Sequence, residues 1–289
     1  ENIKKYSMTL SDFNNQNAEE AQKQMAACCG SKKWLSCLMK GFPFANEKDL
    51  VSKAEDCWYN DCNETDWLEA FTHHPKIGDV KSLTEKFAGK EQESVAAASN
   101  EIIESLAKIN SGYEQKFGFI FIVCATGKSA GEMLRLLQDR VKNSREEEVN
   151  IAMGEQHKIT VIRFKKMIDE AAWNKLKGSQ LTTHVLDTSL GKPGKDITIR
   201  LKSNVHGQWQ TMAQGITNND GRIADLLPPE RIIKPGNYKM VFETSDYFDA
   251  INVKGFYPAV DIEFTVFDDS HYHVPLLINP FGYSTYRGS

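Results

Sequence analysis

Seven histidines occur in the 289 residues, and two of them lie near the end of the sequence at a spacing that suggests chemistry. In HYHVPLL, His271 and His273 stand one residue apart in a strand-like run. Side chains in a strand alternate faces with period two, so both imidazoles point the same way. Such a pair can chelate zinc, place one imidazole for acid–base work, or be two exposed polar residues. His184 sits inside the apolar run LTTHVLDTS, and Arg222 follows the turn TNNDG. A second set lies in the first half. FTHHPKIGD carries His73 and His74, and a residue before proline is held out of the α region, which puts His74 at a helix end with its ring exposed. KEQES supplies Glu91 and Gln92. ITVIRFKKM supplies Arg163, four residues from both Ile159 and Met167. A cation in that apolar neighbourhood either snorkels to solvent or binds an anion.

The elements that must position these residues follow two different periodicities. In the first half, NAEEAQKQMAACCG offers Asn17 as an N-cap, Glu20 at the third helical position and Gly30 as a stop. Ser129 with Glu132 and Ser144 with Glu147 repeat the capping box, the latter opening a long helix. Leu50, Ala54 and Trp58 are spaced four apart, as on one helix face. In the second half Ile197, Ile199 and Leu201 alternate as in a half-buried strand. TNNDGR reads as a turn, and YKMVFET, DIEFTVF and HYHVPLL as further strands. The change falls in the polar stretch NKLKGSQ. The sequence therefore predicts a multidomain chain: an all-α domain over residues 1–173, a linker over 174–180 and an all-β sandwich over 181–289.

Composition narrows the class. Hydrophobic residues make up 40% and charged residues 26%, as in ordinary globular proteins. A net charge of -4 argues against a nucleic-acid partner. No apolar run approaches the roughly 20 residues of a membrane helix, and no N-terminal signal pattern is present. All six cysteines lie between Cys28 and Cys124, without a C-x-x-C. Adjacent Cys28 and Cys29 make a poor disulfide pair, so buried, reduced thiols in the cytoplasm are expected. The sequence lacks a terminal Ser-Lys-Leu, which leaves the cytoplasm as the expected compartment.

LTTHVLDTSLGKPG, GRIADLL and the ending HYHVPLLINPFGYSTYRGS together resemble the 5-hydroxyisourate hydrolases, the transthyretin-related enzymes of urate breakdown, over about residues 180–289. The resemblance implies a small β-sandwich, a homotetramer with active sites between dimers, and hydrolysis without a metal. It assigns catalytic positions to His184, Arg222, His273 and Ser289 and a substrate contact to Tyr286. His271 is left as a neighbour of His273. Hydrolysing a cyclic amide needs a base for water, a donor for the leaving nitrogen and a cation for the oxyanion. The two histidines can take the first two roles and Arg222 the third. Ser289 would position water or a histidine. Zinc held by His184, His271 and His273 is the metal alternative. Transthyretin itself keeps this fold as a hormone carrier, but lacks the His and Arg set and the YRGS ending.

HPKIG, the Glu91–Gln92 pair and YEQKFGFIFIVCATGKS, in that order, resemble the 2-oxo-4-hydroxy-4-carboxy-5-ureidoimidazoline (OHCU) decarboxylases over about residues 5–172. The resemblance implies a helical fold that often dimerises and a decarboxylation with no cofactor. It makes His74 the catalytic histidine, Glu91 its acidic partner and Arg163 the anion binder. Pro75, Gln92 and the segment Phe121, Ile122, Val123, Cys124 and Ala125 would hold the ureido and ring groups. The connection KSLTEKFAGKEQ is shorter than is usual in that family. Cys57 and Cys62, flanking a Trp-Tyr pair, are expected to be thiols, and Cys124 to pack rather than react.

The two resemblances concern consecutive reactions. They imply a bifunctional enzyme acting on small molecules, 5-hydroxyisourate and then its hydrolysis product, and making (S)-allantoin. The alternatives are a chain in which only the hydrolase works, or a ligand carrier joined to a helical interaction domain.

Overall fold

A computed structural model describes residues 8–74, 96–126, 128–168, 173, 179–223, 225–228 and 231–288. Pro75, Glu91, Gln92, Ser289 and most of the expected linker lie outside the described residues. The chain divides into two compact units, Glu1–Lys175 and Leu176–Ser289. Among the described residues no helix is long and apolar enough to cross a membrane.

The first unit is helical: α1 (Leu10–Asn14), α2 (Ala18–Cys28), α3 (Lys32–Met39), α4 (Glu47–Asp56), a π turn (Cys57–Asp61), α5 (Glu64–Thr72), α6 (Ala96–Phe117), α7 (Ala130–Arg140) and α8 (Arg145–Met167). Side-chain caps set the starts by satisfying backbone N–H groups that have no partner within the helix. Asn17 Oδ1 accepts from the Glu20 N–H at 2.9 Å. Ser129 with Glu132 and Ser144 with Glu147 close full capping boxes. Gly30 directly follows the cap of α2, where the stop was expected, but without the left-handed φ of a glycine cap. Helix α2 ends at Cys28 with Cys29 extended. A Cβ on Gly30 would lie 2.4 Å from the His73 ring, so the glycine makes room for that histidine.

Helix α8 runs through the core and is buried on most sides, its polar residues included. Buried charges persist only when paired, and here they are. Glu148, fully buried, accepts from Arg140 Nη2 at 2.6 Å and Nε at 2.8 Å, from Asn143 Nδ2 at 2.8 Å and from the Tyr113 hydroxyl. Trp58 Nε1 donates to Met153 O at 2.9 Å and ties the π turn to the same helix. One pair of cysteines contradicts the expectation of six thiols. Cys37 and Cys57 form a disulfide, Cα atoms 5.8 Å apart, because α3 packs on the π turn. Cys28, Cys29, Cys62 and Cys124 are buried free thiols.

The second unit is a β-sandwich. Its strands are β1 (Leu181–Thr182), β2 (Val185–Asp187), β3 (Lys192–Pro193), β4 (Thr198–Val205), β5 (Gln208–Ile216), β6 (Gly236–Phe242), β7 (Val260–Val266), β8 (Tyr272–His273), β9 (Leu276–Asn279) and β10 (Gly282–Thr285). One sheet has the order β5-β4-β6-β7 and the other β10-β9-β2-β3, with β1 and β8 a parallel pair. Ile197, Ile199 and Leu201 are fully buried, as their alternation predicts, and meet Val185, Met240, Phe242 and Leu276 in one core. A short helix α9 (Thr244–Ala250) interrupts the strands without a side-chain cap. Parallel β1–β8 pairing continues into β2–β9 after a break at His184 and Pro275, where proline has no N–H for the ladder.

Breaking the Arg140–Glu148 pair with Glu148→Ala leaves a guanidinium buried without its counter-charge. Such changes cost about 3–5 kcal/mol. The urea midpoint followed by far-UV circular dichroism is expected to fall accordingly in the helical unit, whereas replacement of exposed Glu19, which pairs with Lys23 at the surface, is expected to leave it within error.

Candidate active sites

In the β unit three separated stretches converge. His184 lies in the break between β1 and β2 and forms an antiparallel bridge with Arg222. Backbone bonds hold this contact: Val185 N donates to Gly221 O at 2.9 Å, and Leu276 N to His184 O at 2.8 Å. Gly221 has φ +69°, and a Cβ there would stand 2.3 Å from Val185 O, so only glycine lets the turn come this close. His273, on β8, faces Thr182 across the parallel pair. Its Nδ1 lies 2.9 Å from Thr182 Oγ1, and His271 Nε2 lies 3.0 Å from the same oxygen. The two rings are nearly parallel with centroids 6.5 Å apart, as the one-residue spacing predicts.

The YRGS segment comes back to this place. Gly288 N donates to His273 O at 2.9 Å, and a Cβ on Gly288 would lie 2.4 Å from the His273 ring. Arg287 stacks over Tyr272 at 5.0 Å. Tyr286 is exposed. Burial lowers the pKa of both His184 and His273, and the Arg222 guanidinium lowers each further. His184 and His271 also act on His273 in the same direction. Neutral imidazoles beside a fixed cation suit proton abstraction next to a developing anion. The zinc set does not assemble: among the described residues the one group of three metal-ligating side chains is Cys37, Cys57 and Asp61, and its two sulfurs are bonded to each other.

In the helical unit His74 follows the end of α5, and its Nε2 lies 2.5 Å from Gln156 Oε1 on α8. Gln156, Thr160 and Arg163 are spaced i, i+4 and i+7, so they share one face of that helix. Arg163 Nη1 donates to the carbonyls of Cys28 at 3.0 Å and Ala27 at 3.3 Å, at the C-terminus of α2, where carbonyls lack partners. It is partly buried and anchored by these carbonyls. Burial lowers the His74 pKa, the Gln156 contact opposes that, and Arg163 and His73 lower it further.

The segment expected to hold substrate, Phe121 to Ala125, is pinned by two buried charges. Arg140 Nη1 donates to Ile122 O at 2.7 Å, and Glu155 Oε2 accepts from Cys124 N at 2.7 Å while Oε1 takes Lys158 Nζ at 2.5 Å. Phe121, Ile122, Val123 and Cys124 are buried, Ala125 partly so. The Ile122 carbonyl and Cys124 N–H are thus already engaged. Burial and nearby Glu155 push the Cys124 thiol up, away from nucleophile character. Cys28, Cys29 and Cys62 are pushed up to about 12, chiefly by burial.

Sequence reasoning missed Thr182 and Gln156. Period two places Thr182 on the face of His184, and helical spacing places Gln156 on the face of Arg163. Both signals were present, but neither residue type announces chemistry alone. Replacing Arg222 by Gln is expected to raise the titration midpoints of His184 and His273 toward the ordinary 6.5 of histidine, read from imidazole proton shifts. Midpoints unchanged by the substitution would show the guanidinium to be screened from both rings.

Comparison with known proteins agrees with this layout. Residues 14–165 match the family model described as OHCU decarboxylase, and residues 181–288 the model of the HIUase/Transthyretin family. The uric acid degradation bifunctional protein TTL of Arabidopsis thaliana is 32% identical over 326 residues, covering 94% of this chain and 99% of that protein. The 5-hydroxyisourate hydrolase of Mus musculus is 44% identical over 117 residues, 39% of this chain and 98% of that protein. The crystal structure of an (S)-allantoin synthase superposes with a TM-score of 0.45 at 24% identity, over 98% of this chain and 100% of that one, a score that adds nothing to the assignment. With one model spanning just over half of its residues and a two-function relative aligned along nearly all of both sequences, the chain belongs to the family of bifunctional uric acid degradation proteins, an OHCU decarboxylase unit followed by a HIUase/transthyretin unit.

Proposed function

We propose that the chain converts 5-hydroxyisourate to (S)-allantoin and carbon dioxide in two cofactor-free steps, hydrolysis in the β unit and decarboxylation in the helical unit. The observation that carries the reading is the meeting of His184, Arg222 and His273, two imidazoles held neutral by burial and by one guanidinium. One imidazole takes a proton from water as it attacks the ring carbonyl. Arg222 stabilises the oxyanion, and the imidazolium so formed passes its proton, directly or through the second imidazole, to the leaving nitrogen. Ser289 lies one residue beyond Gly288, which is bonded to His273, and its role is to orient the water or the ring. Tyr286 contributes a substrate contact.

The product then loses carbon dioxide in the helical unit. The electron pair left behind passes into the ring imine, so neither metal nor organic cofactor is required. Arg163 binds the departing carboxylate. His74, with Glu91, handles the proton, and delivery to one face gives one enantiomer of allantoin. Pro75, Gln92 and the backbone of Phe121 to Ala125, at the groups not already engaged, hold the ring and ureido arm. Association as a homotetramer through the β unit is part of the proposal. It is supported by the exposed aromatic residues Phe256, Tyr257, Phe281 and Tyr283 and by the outer strand β10. The compartment proposed is the cytoplasm, in keeping with four of the six cysteines remaining as buried thiols.

Freshly generated 5-hydroxyisourate tests the reading when its absorbance decay and the circular dichroism of the product are followed together. The wild type is expected to give fast decay and a single allantoin enantiomer. His273→Ala slows the first step alone, by about 10²–10⁴-fold for loss of a general acid–base group. His74→Ala leaves an optically active intermediate that drifts to racemate. Racemic allantoin from the wild type would overturn the decarboxylase assignment, and unaccelerated decay the hydrolase assignment. Light scattering is expected to give four times the 32.6 kDa chain mass, and a monomer would remove the tetramer from the proposal.

A further inference from the structure

We propose that Gln156 and Thr160 are positioning residues that set the tautomer of His74: its Nε2 carries the proton, and its Nδ1 is the bare nitrogen left to exchange a proton with substrate. The inference deepens the reading of His74 as the decarboxylating histidine and rests on it.

A chain of hydrogen bonds leads to His74 from backbone carbonyls, which can only accept. Thr160 Oγ1 lies 3.1 Å from the carbonyl of Gln156 and 3.5 Å from that of Cys28. A carbonyl oxygen has no proton to give, so the threonine hydroxyl donates its single hydrogen there. Its lone pairs then accept from Gln156 Nε2 at 3.3 Å. An amide with its nitrogen turned to Thr160 presents its oxygen the other way, and Oε1 lies 2.5 Å from His74 Nε2. That oxygen also only accepts, so Nε2 must be an N–H. A neutral imidazole has one N–H, which leaves the lone pair on Nδ1.

Flipping the amide would turn its NH2 on His74 and draw the threonine hydroxyl away from the carbonyls. Gln156 and Thr160 are 0% and 2% exposed, so solvent does not make up the loss. The neutral form is the relevant one. Burial disfavours charge on His74, and the cationic Arg163 on α8 and neighbouring His73 act the same way.

The chemistry needs a base at the start. When the carbon–carboxylate bond breaks, its electron pair enters the ring imine, and one proton is taken from solvent as the carboxylate leaves as carbon dioxide. The substrate's hydroxyl oxygen becomes the carbonyl of allantoin and must lose its proton. A bare Nδ1 accepts that proton and returns it to the adjacent carbon. Of the two neutral tautomers only the one with Nε2 protonated offers this atom while keeping the Gln156 bond.

The full-length chain labelled with [13Cδ2]-histidine tests this, because the Cδ2 shift separates the two neutral tautomers. The His74 signal is identified by its loss in His74→Ala. The wild type and Thr160→Ser are expected to show the Nε2–H form. Thr160→Val frees the amide to turn, shifts the signal toward the other tautomer and lowers kcat for decarboxylation by about 10²-fold, the lower end of a general base's contribution, with KM little changed. Gln156→Glu sets a carboxylate against Nε2, holds His74 as imidazolium and moves the acidic limb of the decarboxylation pH profile upward. An Nδ1–H form in the wild type would overturn the proposal, as would Thr160→Val that leaves both tautomer and pH profile unmoved. If instead His74→Ala decarboxylates as fast as wild type, the assignment of His74 fails while the tautomer reading stands on its own signal.

Discussion

A charge buried in protein must meet its opposite, and the helical unit is arranged around that requirement. Arg140 and Glu148 are both essentially inaccessible. Their contact joins α7 to α8 and, through the Tyr113 hydroxyl, to α6. Because guanidinium has donors to spare, the same Arg140 also fixes the Ile122 carbonyl. Seven residues further along α8, Glu155 fixes the Cys124 N–H. One helix thus fixes one short irregular segment at two points, directly through Glu155 and through Arg140 held by Glu148, and the backbone between those points has little freedom. Removal of either charge would disturb the segment as well as the fold.

Much of this was legible from residue types. The capping serines and Asn17 act through local geometry, and local geometry is what sequence spacing encodes. The alternation of Ile197, Ile199 and Leu201 marks the core face of β4 for the same reason. His184, Arg222 and His273 were legible as a set only through resemblance, since bringing them together takes a turn, a parallel pair and a glycine with no side chain. What escaped was non-local. The Cys37–Cys57 bond depends on how α3 packs on a π turn. Helix α9 has no cap to announce it. Gly30 looked like a helix stop, yet its missing side chain matters for the His73 ring. Gln156 looked like any polar residue on a long helix, because only the fold reveals that its amide is buried and aimed.

The two units solve one electrostatic problem in the same way with unrelated folds. Each keeps an imidazole neutral by burying it and setting an arginine nearby: Arg222 for His184 and His273, Arg163 for His74. A base stays available, and the cation that keeps it so also faces the charge that an anionic reaction partner brings. Backbone carbonyls at the end of α2 hold Arg163 without neutralising it. A carboxylate in their place would cancel the charge on which both effects depend.

The glycines beside these histidines bear on how such a gene can drift. Gly30 lies against His73, Gly288 against His273, and Gly221 against the backbone next to His184. Every single-base change that alters a glycine codon's amino acid adds at least a Cβ. At these three positions no one-step neighbour in sequence space keeps the close approach, so neutral wandering stops there. The hydroxyl at Thr182 is different, because serine is one base away and preserves the oxygen. In a population the sites would therefore be framed by the residues with the least chemistry of their own, and the most invariant marks in the gene would be places where a side chain is missing.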